Sequence, residues 1–217
     1  MKRTNKSIII FSVLMVIFAL TSLFKIEVEG KELDLASITL IIGIVAFFVT
    51  RKENDDISEG LNFKTAFGML KDKKTAILVL MPMIMNIVCF LTAKLVVPDF
   101  IIHLKSRTGF LSFNMIPVLI VELIIAALGE EIAWRAFFQK QVSKIFPFVP
   151  SLIISSALFS VCHFNSGSII VVVYDLLFIF INAIFYGMVF QKTDNACVST
   201  IAHFLANLLG TAAIVIL

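Results

Sequence analysis

Charge is scarce in this chain. Only 15% of its 217 residues are Asp, Glu, Lys or Arg, where a soluble domain carries about a quarter. That shortage, with 59% apolar residues and a mean hydropathy of +1.02, excludes an ordinary soluble fold. The net charge of +3 is too small to point to a nucleic-acid partner. Cysteines are few, odd in number (Cys89, Cys162, Cys197) and lack a C-x-x-C spacing, so no disulfide framework is expected. No H-E-x-x-H helix occurs, and no internal repeat or low-complexity tract. The opening Met1 to Lys6 followed by an apolar run has the shape of a signal peptide. It lacks a small-x-small cleavage site, and reads as a retained first span.

What the chain has instead is long apolar runs, several of them long enough to cross a hydrocarbon core of about 30 Å as a helix. The expected fold is all-α, a polytopic membrane helix bundle of about seven spans: 7–24, 35–50, 76–97, 113–134, 149–164, 169–190 and 198–217. Residues 1–112 read as an N-terminal scaffold of three spans with a loop at 51–75. Residues 113–217 read as the four-helix functional part. Lys2, Arg3, Lys6, Arg51, Lys52, Lys64, Lys71, Lys73, Lys74, Lys140, Lys144 and Lys192 fall on one side. Lys25, Lys31, Lys105 and Arg107 fall on the other. The richer side is expected to be cytoplasmic, which puts the N-terminus inside. Residues 61–71 are amphipathic and fit either an interfacial helix or a plain connector. Residues 136–150 mix Phe137, Phe138 and Val142 with Gln139, Lys140 and Gln141. They are expected to carry the fourth helix to the interface and turn at Pro147 and Pro150.

Ionisable residues are costly in hydrocarbon, so those inside spans are functional candidates by default. Most lie in the second half: Glu122, Glu130, Glu131, Arg135, His163, Asp175, Asn182, His203 and Asn207. The first half adds Asn86 and Lys94. Glu131 and Arg135 are four apart on a helix and share a face, whereas Glu130 is rotated about 100° away. Two adjacent carboxylates in different surroundings suit acid–base chemistry. The bland alternative is a charge cluster anchoring a helix end. His203 and Asn207 also share a face and suit an oxyanion site, or equally a polar contact between helices. Asp175 and Asn182 form one stripe of the sixth span and read as support.

Taken in order, Glu130-Glu131-x-x-x-Arg135, Phe159-x-x-x-His163 and His203-x-x-x-Asn207 resemble the three motifs of the CPBP family of intramembrane proteases. That family includes the CAAX-protein proteases and the bacterial Abi proteins, many of them tied to bacteriocin self-immunity. The resemblance covers roughly residues 113–210, with Trp134 and Ala136 standing where the family usually has Phe and Gly. It implies that Glu130 and His163 activate the attacking water, that Glu131, held by Arg135, supports them, and that His203 and Asn207 stabilise the oxyanion. The expected activity is intramembrane endopeptidase action on a membrane-embedded or lipid-associated protein or peptide, in a multi-pass protein of a bacterial plasma membrane. Glu130, His163 and His203 also form a donor set for a divalent metal such as zinc, with an open position. The same residues serve without one, and the sequence leaves both open. Two other functions compete: a non-catalytic bacteriocin-immunity membrane protein, and a proton-coupled transporter. Simple counting places Glu130 and His203 toward the cytoplasmic side and His163 toward the outside. The protease reading requires that they meet, with Glu130 and His163 side chains within about 10 Å.

Overall fold

The structure, a computed structural model, describes residues 6–24, 26–28, 31–54, 59–109 and 111–216. Lys2, Arg3 and Lys25, used above for orientation, lie outside the described residues. The chain is a helical bundle. Helices α1 (Lys6–Thr21) and α2 (Leu35–Asn54) are joined by a hairpin of two-residue strands, β1 (Glu27–Val28) and β2 (Lys31–Glu32). Then come α3 (Phe63–Met69), α4 (Lys73–Val96), α5 (Phe100–Arg107) and α6 (Ile116–Glu131). A π-wound segment, Ile132–Gln139, continues α6 directly into α7 (Lys140–Val142). Helices α8 (Phe148–Val161), α9 (Ile169–Thr193) and α10 (Ala196–Ile216) complete the fold.

Helix dominates because a backbone in lipid must satisfy its own hydrogen bonds. Among the described residues, four helices are long and apolar enough to cross a membrane alone, those at Leu35–Lys52, Lys73–Val96, Ile169–Thr193 and Ala196–Ile216. Helices α1 and α8 are apolar but shorter, 16 and 14 residues. The remaining rod, from α6 through α7, carries the glutamate pair, Arg135 and Lys140.

One end of the bundle is laced by polar contacts. Asn195 binds α3 from the α9–α10 corner, donating from Nδ2 to the Asn62 carbonyl at 2.8 Å and accepting from the Asn62 N–H at 3.0 Å. Lys192 pairs with Asp72, the N-cap of α4, at 3.0 Å. Lys140 pairs with Glu59 at 2.6 Å and with Asp194 at 2.9 Å. These contacts bring the ends of α7 and α9 and the starts of α4 and α10 to one level. The amphipathic stretch 61–71 is indeed helical at α3, with Phe63 and Phe67 turned outward.

The segment after the glutamates departs from expectation. Residues 136–142 do continue the helix, but wound as π as far as Gln139 and packed inside the bundle. All eight residues of Ile132–Gln139 are buried, and Gln141 and Val142 with them. The amide of Gln139 is satisfied inside the bundle. Its Nε2 donates to the Gly187 carbonyl at 3.1 Å, and its Oε1 accepts from Ser155 Oγ at 3.5 Å. Packing here is tight. A Cβ on Gly43 of α2 would sit 2.6 Å from the Cβ of Ala133, so only glycine lets α2 approach the π segment this closely. Helix α5 was also not foreseen. It lies between the third and fourth spans and buries Phe100, His103 and Leu104.

Candidate active site

The depth of each element decides what meets. Glu130 lies ten residues before Lys140, roughly 15 Å along the rod at 1.5 Å per residue, and His203 lies about 12 Å above the Asn195 corner. Helix α8 starts farther out, after the turn at 143–147, and its 14 residues end inside the bundle rather than at the far surface. His163 follows in the turn that leads to α9. Both features bring His163 to the depth of Glu130: the rod runs on well past residue 134, and α8 is short. The resulting distance from His163 Nε2 to Glu130 Oε2 is 3.7 Å.

The two glutamates occupy different surroundings. Glu131 is fully buried. Its Oε1 accepts from His203 Nδ1 at 3.0 Å, and its Oε2 lies 3.5 Å from Arg135 Nε. Arg135 is also fully buried, stacked over the Phe159 ring with its guanidinium carbon 5.1 Å from the centroid. Glu130 lines a cavity of about 260 Å³, and its side chain is 22% exposed. Its Oε2 faces two imidazoles at once, His163 Nε2 and His203 Nε2, each at 3.7 Å. That is longer than a formed hydrogen bond and within closing distance of one.

Both histidines are fixed by their other nitrogen. A carbonyl and a carboxylate can only accept, so His163 Nδ1 donates to the Phe159 carbonyl at 2.8 Å and His203 Nδ1 donates to Glu131. A neutral ring so held presents only the lone pair of Nε2 toward Glu130, so a hydrogen bond between them needs a proton on Nε2 or on the carboxyl. The donor types would suit zinc. However, among the described residues no group of three or more His, Cys, Asp or Glu side chains is placed to hold a metal ion.

Other candidates fall as follows. Asn207 lines the cavity one turn beyond His203. Asp175 and Asn182 line it from α9, and each makes a contact that its own helix does not reveal. Asp175 Oδ2 lies 3.3 Å from His103 Nε2 of α5. Asn182 Nδ2 donates to Asn86 Oδ1 at 2.7 Å, and Asn86 Nδ2 donates to the Ala206 carbonyl at 2.8 Å, tying α9, α4 and α10. Glu122 stands apart, accepting from the N–H of Ser112 at 2.9 Å and from its hydroxyl at 2.8 Å. Two residues of this region escaped the sequence reading, His103, whose partner is distant in the chain, and Tyr186, while Gln139 had read as interfacial. Tyr186 stacks on the His203 ring, with centroids 4.3 Å apart and planes at 15°. The walls away from the polar cluster are apolar, including Phe90, Phe100, Leu104, Phe178 and Ile214.

A carboxylate–imidazole cluster inside an apolar helical bundle is an arrangement able to carry acid–base chemistry within a membrane. Residues 112–209, which carry all three motifs, match the family described as type II CAAX prenyl endopeptidase Rce1-like. Over that segment the chain is similar to this CAAX-protease family, whose class is that of a membrane protease. No curated protein and no solved structure matches the chain.

Proposed function

We propose that this protein is an intramembrane endopeptidase in which Glu130 is the general base. The observation that carries the reading is the placement of Glu130 Oε2, 3.7 Å from Nε2 of both His163 and His203, at the wall of a cavity within the bundle. Peptide hydrolysis needs a base for water, a proton for the leaving amine and donors for the oxyanion. Glu130, assisted by His163, takes the proton of the attacking water. The proton then passes to the leaving amine. His203, carrying a proton on Nε2, and Asn207 donate to the oxyanion. Glu131 stands at Nδ1 of His203 to compensate that proton, and Arg135 holds Glu131. The end of the bundle with Lys64, Lys71 and Lys192 faces the cytoplasm in this reading.

The substrate is a membrane-associated protein or peptide. Prenylated CAAX proteins are what the family description names. A peptide signal or a bacteriocin precursor is the reading taken from the bacterial branch the motifs resemble. A substrate-independent test is direct. The protein is placed in liposomes with a mixture of membrane proteins, and new peptide termini are read by mass spectrometry. Glu130→Gln, His163→Ala and His203→Ala are each expected to lower their formation by about 10²- to 10⁴-fold, the usual worth of a general acid or base. Undiminished termini in all three variants would defeat the assignment. Immunity to a bacteriocin that survives in variants unable to cleave would favour a non-catalytic immunity role.

A further inference from the structure

We propose that Tyr186 is a positioning residue whose ring face, stacked on the His203 imidazole, fixes the direction in which His203 meets Glu130. The proposal rests on the reading of Glu130 and His203 as reacting groups, and it names a part of the site that the three motifs do not contain.

His203 needs more than one restraint. Its hydrogen bond to Glu131 constrains Nδ1 alone. About that contact the ring can still rock, and Nε2, on the far side of the ring, then travels through the largest arc. Nε2 is the atom that faces Glu130 at 3.7 Å, so the rocking falls directly on the reacting distance. A misplacement of about 1 Å in such a geometry costs on the order of 10²-fold in rate.

Tyr186 supplies the missing restraint. It lies on α9, is 3% exposed and lines the cavity. Its ring is nearly parallel to the imidazole, at 15° and 4.3 Å between centroids. A parallel face opposes tilt of the ring over its whole area. The other aromatic neighbour, Phe159, meets His203 edge-on at 72° and 5.9 Å, and touches it along a rim. Phe159 is also engaged elsewhere, against His163 at 4.5 Å and under Arg135 at 5.1 Å. The plane of His203 is therefore set by Tyr186 and its azimuth by Glu131. Two helices, α9 and α6, fix a side chain that belongs to a third, α10. Tyr186 itself cannot drift. One residue on, Gly187 has its carbonyl held by Gln139, and a Cβ there would lie 2.6 Å from Gln139 Oε1.

The role assigned is that of the ring face, not of the hydroxyl, so Tyr186→Phe and Tyr186→Leu separate it from mere packing. The chain has three histidines, and their ring Cε1–Hε1 correlations in detergent micelles are assignable with single His→Gln variants. The wild-type His203 signal is expected upfield of a free imidazole, from the ring current of a stacked face. It is expected to stay there in Tyr186→Phe and to move back in Tyr186→Leu. For a peptide found cleaved in the liposome mixture, Tyr186→Phe should keep kcat within about twofold. Tyr186→Leu should lower kcat about 10- to 100-fold with KM little changed. A purely structural role would lower the melting temperature of Tyr186→Leu and leave kcat of the folded protein intact, which overturns the proposal. Equal losses in Tyr186→Phe and Tyr186→Leu would place the role on the hydroxyl and also overturn it. A wild-type His203 signal without the upfield displacement overturns it whether or not Tyr186→Leu folds. Should Glu130→Gln cleave normally, the protease reading fails by itself, while the His203 shift still decides whether Tyr186 holds the ring.

Discussion

Replacing each glutamate of the adjacent pair by glutamine should give opposite outcomes. Glu131→Gln keeps the shape of the side chain and an acceptor for His203, but removes the charge facing Arg135. That guanidinium is fully buried, and none of its nitrogens makes a hydrogen bond among the described residues. Its compensation is the Glu131 carboxylate at 3.5 Å and the face of Phe159. Two unit charges at 3.5 Å attract by about 5 kcal/mol at an effective dielectric constant of about 20. Stranding one partner of a buried pair typically costs about 3–5 kcal/mol. Glu130→Gln removes a carboxylate that is partly exposed and has only imidazoles beside it at 3.7 Å, a change of about 1 kcal/mol. At roughly 2–4 °C per kcal/mol for a chain of this size, Glu131→Gln should melt about 6–20 °C below wild type, and Glu130→Gln within a few degrees. Trp134 makes the measurement local. It is the sole tryptophan, buried in the π segment against Phe138 and Phe159. Its fluorescence in a fixed detergent should report unfolding of the site itself. Cleavage should vanish in Glu130→Gln even at temperatures where it is fully folded. The assignment of roles is refuted if Glu131→Gln melts like wild type, or if Glu130→Gln is the less stable of the two.

Further outcomes are specific. Gly187→Ala would press a methyl group into Leu152 and to 2.6 Å from Gln139 Oε1, and overpacking of this kind costs about 1–3 kcal/mol. A lowered Trp134 melting temperature is expected, and a wild-type melt would show that α8 and α9 can separate freely. Asp72 is held down to about 2 from 3.8 by Lys192 and by the Thr75 backbone N–H. A carboxyl lowered in the folded state stabilises fully above its unfolded value and loses that contribution as pH falls through about 2. The melting difference between wild type and Asp72→Asn should therefore be constant from pH 5 to 7, shrink below about pH 4 and be mostly lost at pH 2. An undiminished difference at pH 2 would assign the effect to packing instead of charge.

Helix identity and order were legible because apolar runs of sufficient length admit little else in a membrane. The partners within one helix were legible too: Glu131 with Arg135 needs only helical spacing. Depth was not. Counting straight α-helices from fixed boundaries put His163 outside, because it ended the fourth helix near residue 134 and gave the fifth a full crossing. The π winding of Ile132–Gln139 and the short α8 are products of packing, visible only when Ala133 is found against Gly43 and Gln139 against Gly187. Gln139 and Gln141 read as interfacial because an amide carries no mark of the buried partner that will satisfy it. His103 drew no notice because Asp175 lies far along the chain, and Tyr186 looked like any aromatic in a span.

The buried Arg135–Glu131 pair is poor value as a stabiliser, since a desolvated ion pair rarely outperforms apolar side chains of similar volume. Its retention makes sense through the third member. Glu131 serves two partners with two oxygens: Oε2 faces Arg135 and Oε1 holds His203 Nδ1. With Arg135 present, the carboxylate keeps its charge in an otherwise apolar interior, and a charged acceptor at Nδ1 is what orients the imidazole and tolerates a proton at its other nitrogen. Apolar replacement of the pair would leave His203 with Tyr186 alone, its plane fixed and its azimuth free. Arg135, inside the π segment, faces back to Glu131 within the bundle, while Glu130, one residue earlier and rotated about 100°, stays at the cavity wall. Adjacent carboxylates in sequence thus become one buried anchor and one carboxylate at the cavity wall, the proposed base.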